Sequence, residues 1–415
     1  MRLRPSTSHR TDELVTTEET SQILLGDNIT VEVTHVANGG FCIARHNGQA
    51  VFVRHALPGE TVVAEVTEIN KRYLRADAVE IVVPSEHRVE PPCTYAGVCG
   101  GCDFQHAELA YQRELKSQVV REQLSHLGGL THVNGQPLEE FEVQALSASE
   151  TGIRWRTRNR FARLGDIAVG MKMPRSHSVV EIDECLIAVD DAVALAESAL
   201  HIGSGDIATA RSSLGQHVVV DGRGGPWLDE VVDNRTWRIH ASSFWQVHKD
   251  APEAFVRTVR DLAKLSAGES LLDLYSGSGL FAASLAADVG PSGDVVAVES
   301  SVDAVRDARR SCSDLSQLEL ITSDVQKWIA QCDESFDVVI LDPPRAGAGL
   351  AIIENVARLA KRAVVYVACD PSSLGRDTKY LSELGWTMTT LRGLDAFPMT
   401  AHVECIALFT PTVSH

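Results

Sequence analysis

The stretch LLDLYSGSGLFA, Leu271 to Ala282, constrains the fold of this chain more than any other. An apolar run leads into a turn with Gly277 and Gly279, and a helix-forming run follows. Glycines at such a turn let backbone approach a ligand at a helix N-terminus, where unpaired amides gather. Tight packing alone can also demand such a turn, so the segments after it decide. From about Lys249, apolar strands alternate with helical segments nearly to the end, the pattern of a doubly wound parallel sheet. Three of these strands run straight into polar groups. VVAVES ends in Glu299, placed to accept hydrogen bonds from a ribose diol. FDVVILDPPRAG leads into Asp342-Pro343-Pro344-Arg345, and AVVYVACDP ends in Cys369-Asp370-Pro371. Open α/β sheets bind ligands at these carboxyl ends.

Upstream the pattern differs. ITVEVTHV, GFCIARH, AVFVRHA, TVVAEVTEI and ADAVEIVV alternate in strand fashion, with turn signals at Asn38-Gly39-Gly40, Asn47-Gly48 and Pro58-Gly59. Five short strands without a long helix predict a small OB-type barrel over residues 22–84. The segment PPCTYAGVCGGCDFQH then packs Cys93, Cys99 and Cys102 into ten residues. A helix is expected from about Ala107 to His126, followed by mixed, mostly strand structure up to residue 240. The chain divides on this reading into a disordered lead-in (1–21), the barrel (22–84), a central domain (85–240) and an α/β domain (241–415). A length of 415 residues accommodates that number of cores.

Residues 1–22 contain no apolar h-region, and no apolar run in the sequence reaches membrane-spanning length. A cytoplasmic protein is expected. Thiols stay reduced there, so a tight cysteine group points to metal or an iron-sulfur cluster rather than disulfides. Spacing alone also suits tetrahedral zinc. The formal net charge of -18 argues against nucleic-acid binding by the chain as a whole. One basic stretch, IRWRTRNRFAR, runs against that sum. On a strand, Arg154, Arg156, Arg158 and Arg160 would share one face, either as a solvated face or as a phosphate-tracking stripe.

Cys369 reads two ways: a small hydrophobe at a buried strand end, or a nucleophile whose pKa the following helix lowers. Glu404, which interrupts the strand-like run AFPMTAHVECIALF, is either a general base or an outward-facing strand residue.

Taken together, these motifs resemble the uracil-C5 RNA methyltransferases, which make 5-methyluridine in tRNA and 23S rRNA. The resemblance spans residues from about 22 to 410. It implies a Rossmann-like class I methyltransferase domain preceded by a TRAM-like barrel and an iron-sulfur central domain. The family pattern C-x5-C-G-G-C, with one later cysteine, appears as Cys93, Cys99, Cys102 and Cys185 in DECLI. Those four would hold a [4Fe-4S] cluster. Gln246, Tyr275, Glu299, Asp324 and Asp342 would contact S-adenosylmethionine, Glu299 at the ribose, Asp324 near the adenine and Asp342 at the junction with the target base. Cys369 would be the nucleophile and Glu404 the base that removes the C5 proton. This chain has Asp370 where many members have Asn, His248 where many have Asn, and Leu280 where Asn is common.

The implied activity is methyl transfer to C5 of a uridine in RNA by a monomer, with 23S rRNA as the first expectation and tRNA as the alternative. A methyltransferase acting on a small molecule or protein would leave Cys369, Glu404 and the barrel without a role. An iron-sulfur RNA-binding protein with an inactive methyltransferase domain would not need Cys369 or Glu404.

Overall fold

A computed structural model describes residues 23–146, 151–220 and 225–412. The expected lead-in, 1–21, lies outside them. Strands Asn28–Val36, Cys42–His46, Gln49–Arg54, Thr61–Ile69 and Tyr73–Val83 close into a barrel. The first strand buries Ile29, Val31 and Val33 and exposes the residues between them, so period-2 patterning sets the inward face. Glu60 is fully buried and bonds Arg88 twice, at 2.6 and 2.7 Å, which ties the barrel to the segment before the cysteines.

An eight-stranded sheet forms the main body. Its order is Leu318–Thr322, Asp294–Glu299, Ser270–Leu274, Phe336–Leu341, Ala360–Ala368, Glu404–Pro411, Trp386–Asp395 and Val143–Ala145. The first five are parallel, as their continuous apolar runs predict, and helices cover both faces. The order reverses between Ser270–Leu274 and Phe336–Leu341, where such sheets open a ligand crevice.

The boundary expected at residue 240 is crossed in two places. Strand Val143–Ala145 pairs in parallel with Gly393, Leu394 and Asp395 and so extends the main sheet. Helix Leu109–His126 sends Lys116 into the same body, where its Nζ donates to Asp395 Oδ1 at 2.6 Å and to the Phe397 carbonyl at 3.0 Å. Both side chains of this ion pair are fully buried. Removing one partner would strand the other charge in a dry site. We expect Lys116→Met to destabilise the protein by about 3–5 kcal/mol, and the double change with Asp395→Leu to recover much of that. Denaturant midpoints of the two variants check this.

A second, five-stranded sheet in the central region contains Arg158–Leu164 and Ala168–Lys172. It corrects the arginine stripe. Backbone at Arg154 is left-handed (φ 55°), and the strand starts only at Arg158. Arg154 pairs with Glu184 and Asp190, and Arg158 with Glu230 at 3.2 Å. Arg163 donates to the Leu200 and Ile202 carbonyls. Arg156 donates to the Arg158 carbonyl and lies half-buried. Arg160 is the member left exposed, so the four do not form one phosphate-facing row. Alternation in sequence indicated one face only if the strand was continuous, and it is not. Among the described residues, no helix is long and apolar enough to cross a membrane.

Candidate active site

The antiparallel pairing of Ala360–Ala368 with Glu404–Pro411 sets Ala368 opposite Cys405. Cys369 follows the first of these and Glu404 precedes the second, so register places the two at one sheet edge. Asp342 reaches the same edge from the neighbouring strand, its amide donating to the Leu274 carbonyl at 3.2 Å. Cys369, Glu404, Asp342, Tyr275, Glu299 and Gln246 all line one cavity of about 1130 Å³. Of the seven residues expected at the cofactor or the chemistry, Asp324 alone is absent from that lining. Its carboxylate caps helix Val325–Ile329 by accepting from Lys327 N at 3.0 Å.

The end expected to hold the cofactor is built on local backbone. Gly277 has φ 54° and open space where a Cβ would stand, and Tyr275 adopts φ 62° just before it. Glu299 organises this turn: its Oε2 accepts from Gly277 N at 3.1 Å, and Oε1 from Ser301 N at 2.6 Å. Ser300 Oγ also donates to Oε1 at 3.1 Å, so of a carboxylate's about four acceptor directions roughly one is left for a ribose hydroxyl. Beneath the turn, fully buried Asp273 accepts from Ala282 N at 2.9 Å while its Oδ1 has no hydrogen-bond partner. Burial pushes its carboxyl up to about 8.

At the chemistry end burial favours the neutral forms of the three acids. Burial raises Glu404 well above the usual carboxylate range; Asp342 nearby adds to this and Arg345 opposes it. Burial lifts Asp342 to about 7. Cys369 is pushed up to about 12, first by burial and then by the Glu404 and Asp342 carboxyls, with Arg345 opposing. This corrects the expectation that the following helix lowers the thiol. Helix Pro371–Glu383 is already capped by Asp370, whose Oδ1 accepts from Ser373 N at 2.8 Å. Asp370 thus serves as the helix cap at the position where the family resemblance implies Asn.

The other two departures also have local accounts. His248 is buried and stacks on Trp155 at 5.5 Å, and Leu280 is buried at the first turn of its helix. Sequence reasoning passed over His402, two residues before Glu404. It lines the cavity and meets Arg345 Nη2 at 3.3 Å through Nε2. Arginine can only donate, so Nε2 accepts and Nδ1 carries the ring proton. Burial lowers the pKa of His402, which keeps it neutral.

The cysteine segment forms another wall. Cys93, Cys99, Cys102 and Cys185 line a common cavity of about 40 Å³, together with Arg156. All nine cysteines are free. Among the described residues, no group of three or more His, Cys, Asp or Glu converges as a site for a metal ion. Burial raises the Cys99, Cys102 and Cys185 thiols, Cys102 to about 12. Just past Cys102, the segment grips the loop that carries Glu404. Asp103 N and Phe104 N donate to the Met399 carbonyl at 2.9 and 3.0 Å, Ala401 N donates to Asp103 Oδ2 at 3.0 Å, and Met399 N donates to Gln112 Oε1 at 2.8 Å.

Both the barrel and the main sheet match known domain families. Residues 23–79 match the TRAM domain family, and residues 265–394 match a methyltransferase domain family. A Streptomyces coelicolor protein named as an uncharacterized RNA methyltransferase is 40% identical, covering 94% of each chain. A Bdellovibrio bacteriovorus protein of the same description is 31% identical over 92% of this chain and 95% of its own. Among solved structures, the Pyrococcus abyssi tRNA (uracil-54, C5)-methyltransferase in complex with S-adenosyl-L-homocysteine has the same fold. It gives a TM-score of 0.68 at 23% identity, over 92% of this chain and 99% of that one. With a TRAM barrel, a class I methyltransferase sheet and full-length relatives of this kind, the chain belongs to the family of S-adenosylmethionine-dependent RNA methyltransferases.

Proposed function

We propose that this protein methylates C5 of a uridine in RNA, with Cys369 as nucleophile and Glu404 as base. The observation that carries the reading is the register that puts these two residues side by side at the mouth of the ligand crevice. S-adenosylmethionine would supply the electrophilic methyl, and Gln246, Tyr275, Glu299 and Asp342, which line the cavity, would hold it together with Asp324 near the adenine.

Uracil C5 is a poor nucleophile. Once the Cys369 thiol has given its proton to solvent in the open cavity, addition of the thiolate to C6 forms an S–C6 bond and moves the C5=C6 electrons toward O4, which makes C5 reactive. After C5 takes the methyl, Glu404 removes its proton, the double bond returns and the C6–S bond breaks. The target base must leave its stack to reach the cavity, which costs a few kcal/mol that contacts outside the pocket offset.

Incubation with RNA and methyl-labelled cofactor tests the reading. Label should appear as 5-methyluridine, and label on protein or small molecules alone would refute it. The RNA we infer is 23S rRNA. Likeness to a solved tRNA enzyme over nearly its whole length supports tRNA as a second reading. Mapping 5-methyluridine in both RNAs from a strain lacking the gene separates them. The working state on this reading is a cytoplasmic monomer.

The pH dependence follows from the buried acids. Nucleophile and base both act deprotonated, and both are shifted upward. The active fraction therefore shrinks as pH falls through those raised values. The single-turnover rate at saturating cofactor should climb with pH, with its acid limb well above 4.5. A limb at the ordinary carboxylate value would contradict the buried, neutral resting state.

We further propose that Cys93, Cys99, Cys102 and Cys185 hold a [4Fe-4S] cluster. The donor set fits. Four cysteines line one cavity, and a cluster of this form is held by four thiolates. The protein should be brown as isolated, and serine at any of the four should lower its thermal stability and its activity together, since ligand loss costs folding energy. A colourless protein with normal stability and activity would refute the cluster.

A further inference from the structure

The barrel does more than cap the chain. Its first turn, between strands Asn28–Val36 and Cys42–His46, reaches into the wall of the catalytic cavity, where Gly39 lies. Asn38 Nδ2 donates to Ser372 Oγ at 2.6 Å and to Asp370 Oδ2 at 3.3 Å. These residues follow Cys369 directly and form the first turn of the helix behind it. Ser372 Oγ in turn donates to Gln123 Oε1 at 3.0 Å. Two residues on, Gly40 lies so close to the other active-site loop that a Cβ would fall 2.7 Å from Ala401 Cβ. Ala401 is three residues before Glu404. One barrel turn therefore touches the nucleophile side and the base side at once.

We propose that Asn38 is a positioning residue for Cys369: through Asp370 and Ser372 it holds the nucleophile loop in line for attack on C6. The barrel thereby couples its own seating to the chemistry and is not only an RNA-holding appendage. The inference rests on the reading of Cys369 as nucleophile. Misplacing a reacting atom by about 1 Å can cost as much as ~100-fold in rate, so even a small loosening should be measurable.

The chemistry of the contact supplies a specific test. Asp370 is a cap through Oδ1 and an acceptor from Asn38 through Oδ2. In Asn38→Asp two carboxylates face each other. Adding Asp370→Asn restores a donor and an acceptor with their direction reversed, and Asn still caps the helix through its oxygen.

The readout is the single-turnover rate of covalent adduct formation with RNA carrying 5-fluorouridine, which lacks a C5 proton and so traps the enzyme. RNA affinity and cofactor affinity are measured beside it. Asn38→Ala should slow adduct formation by about tenfold or more, with both affinities within about twofold of wild type. Asn38→Asp should be slower still, and Asn38→Asp/Asp370→Asn should recover most of the rate. Unchanged rates in the single variants would overturn the proposal. So would a loss confined to RNA affinity, which would make the turn a docking element only, or failure of the exchange pair to recover. Absence of any adduct in the wild-type enzyme would instead count against Cys369 as the nucleophile, so the two failures are distinguishable.

Discussion

Cys369→Ala is expected to lower methyl transfer by at least ~10³-fold while leaving S-adenosylmethionine binding within about twofold of wild type. The two halves of this result have separate causes. The residues proposed for the cofactor, the Gly-rich turn and Glu299, lie on strands that do not carry Cys369. The substitution removes one sulfur from a half-buried position and leaves the Asp370 cap in place. A folding defect would show as lost cofactor affinity, so calorimetry on the variant separates the explanations. Near wild-type turnover would end the nucleophile assignment.

Much of this site was legible in the chain, and the reason is physical. Parallel strands buried on both faces must be apolar, so polar residues at their ends stand out: Glu299, Asp342 and Cys369 could all be read that way. Gly277 marked the turn because close backbone approach needs it. Partners set by register were not legible. Nothing in the linear pattern says that Ala368 faces Cys405, and only that pairing brings Glu404 to Cys369. Three-residue strands carry almost no periodic signal, so the sheet extension by Val143–Ala145 was missed. The arginine stripe failed at Arg154, where a left-handed residue breaks the strand that alternation assumed. Asn38 and Asp370 are 332 residues apart, and no local pattern links them.

The second large effect concerns the base. Glu404→Gln keeps shape and burial but cannot take a proton. Cys369 can still add to C6 and the methyl can still transfer, while elimination stalls. Turnover should fall by about 10²–10⁴-fold. RNA-protein adduct should accumulate as a slow band on a denaturing gel, released by proteinase. The double variant with Cys369→Ala should show no band. Free turnover by Glu404→Gln without trapped RNA would assign proton removal to another group, with Asp370 the next candidate.

The claim beneath both predictions is a covalent bond between the Cys369 sulfur and a uracil ring. Its most direct test is mass analysis of the adduct trapped with 5-fluorouridine RNA. Trypsin would cut after Arg362 and Arg376, and the peptide between them contains Cys369 as its single cysteine. The account predicts that this peptide carries the nucleotide, attached through sulfur. A nucleotide attached to any other residue, or no attachment at all in an enzyme that makes 5-methyluridine, would contradict it.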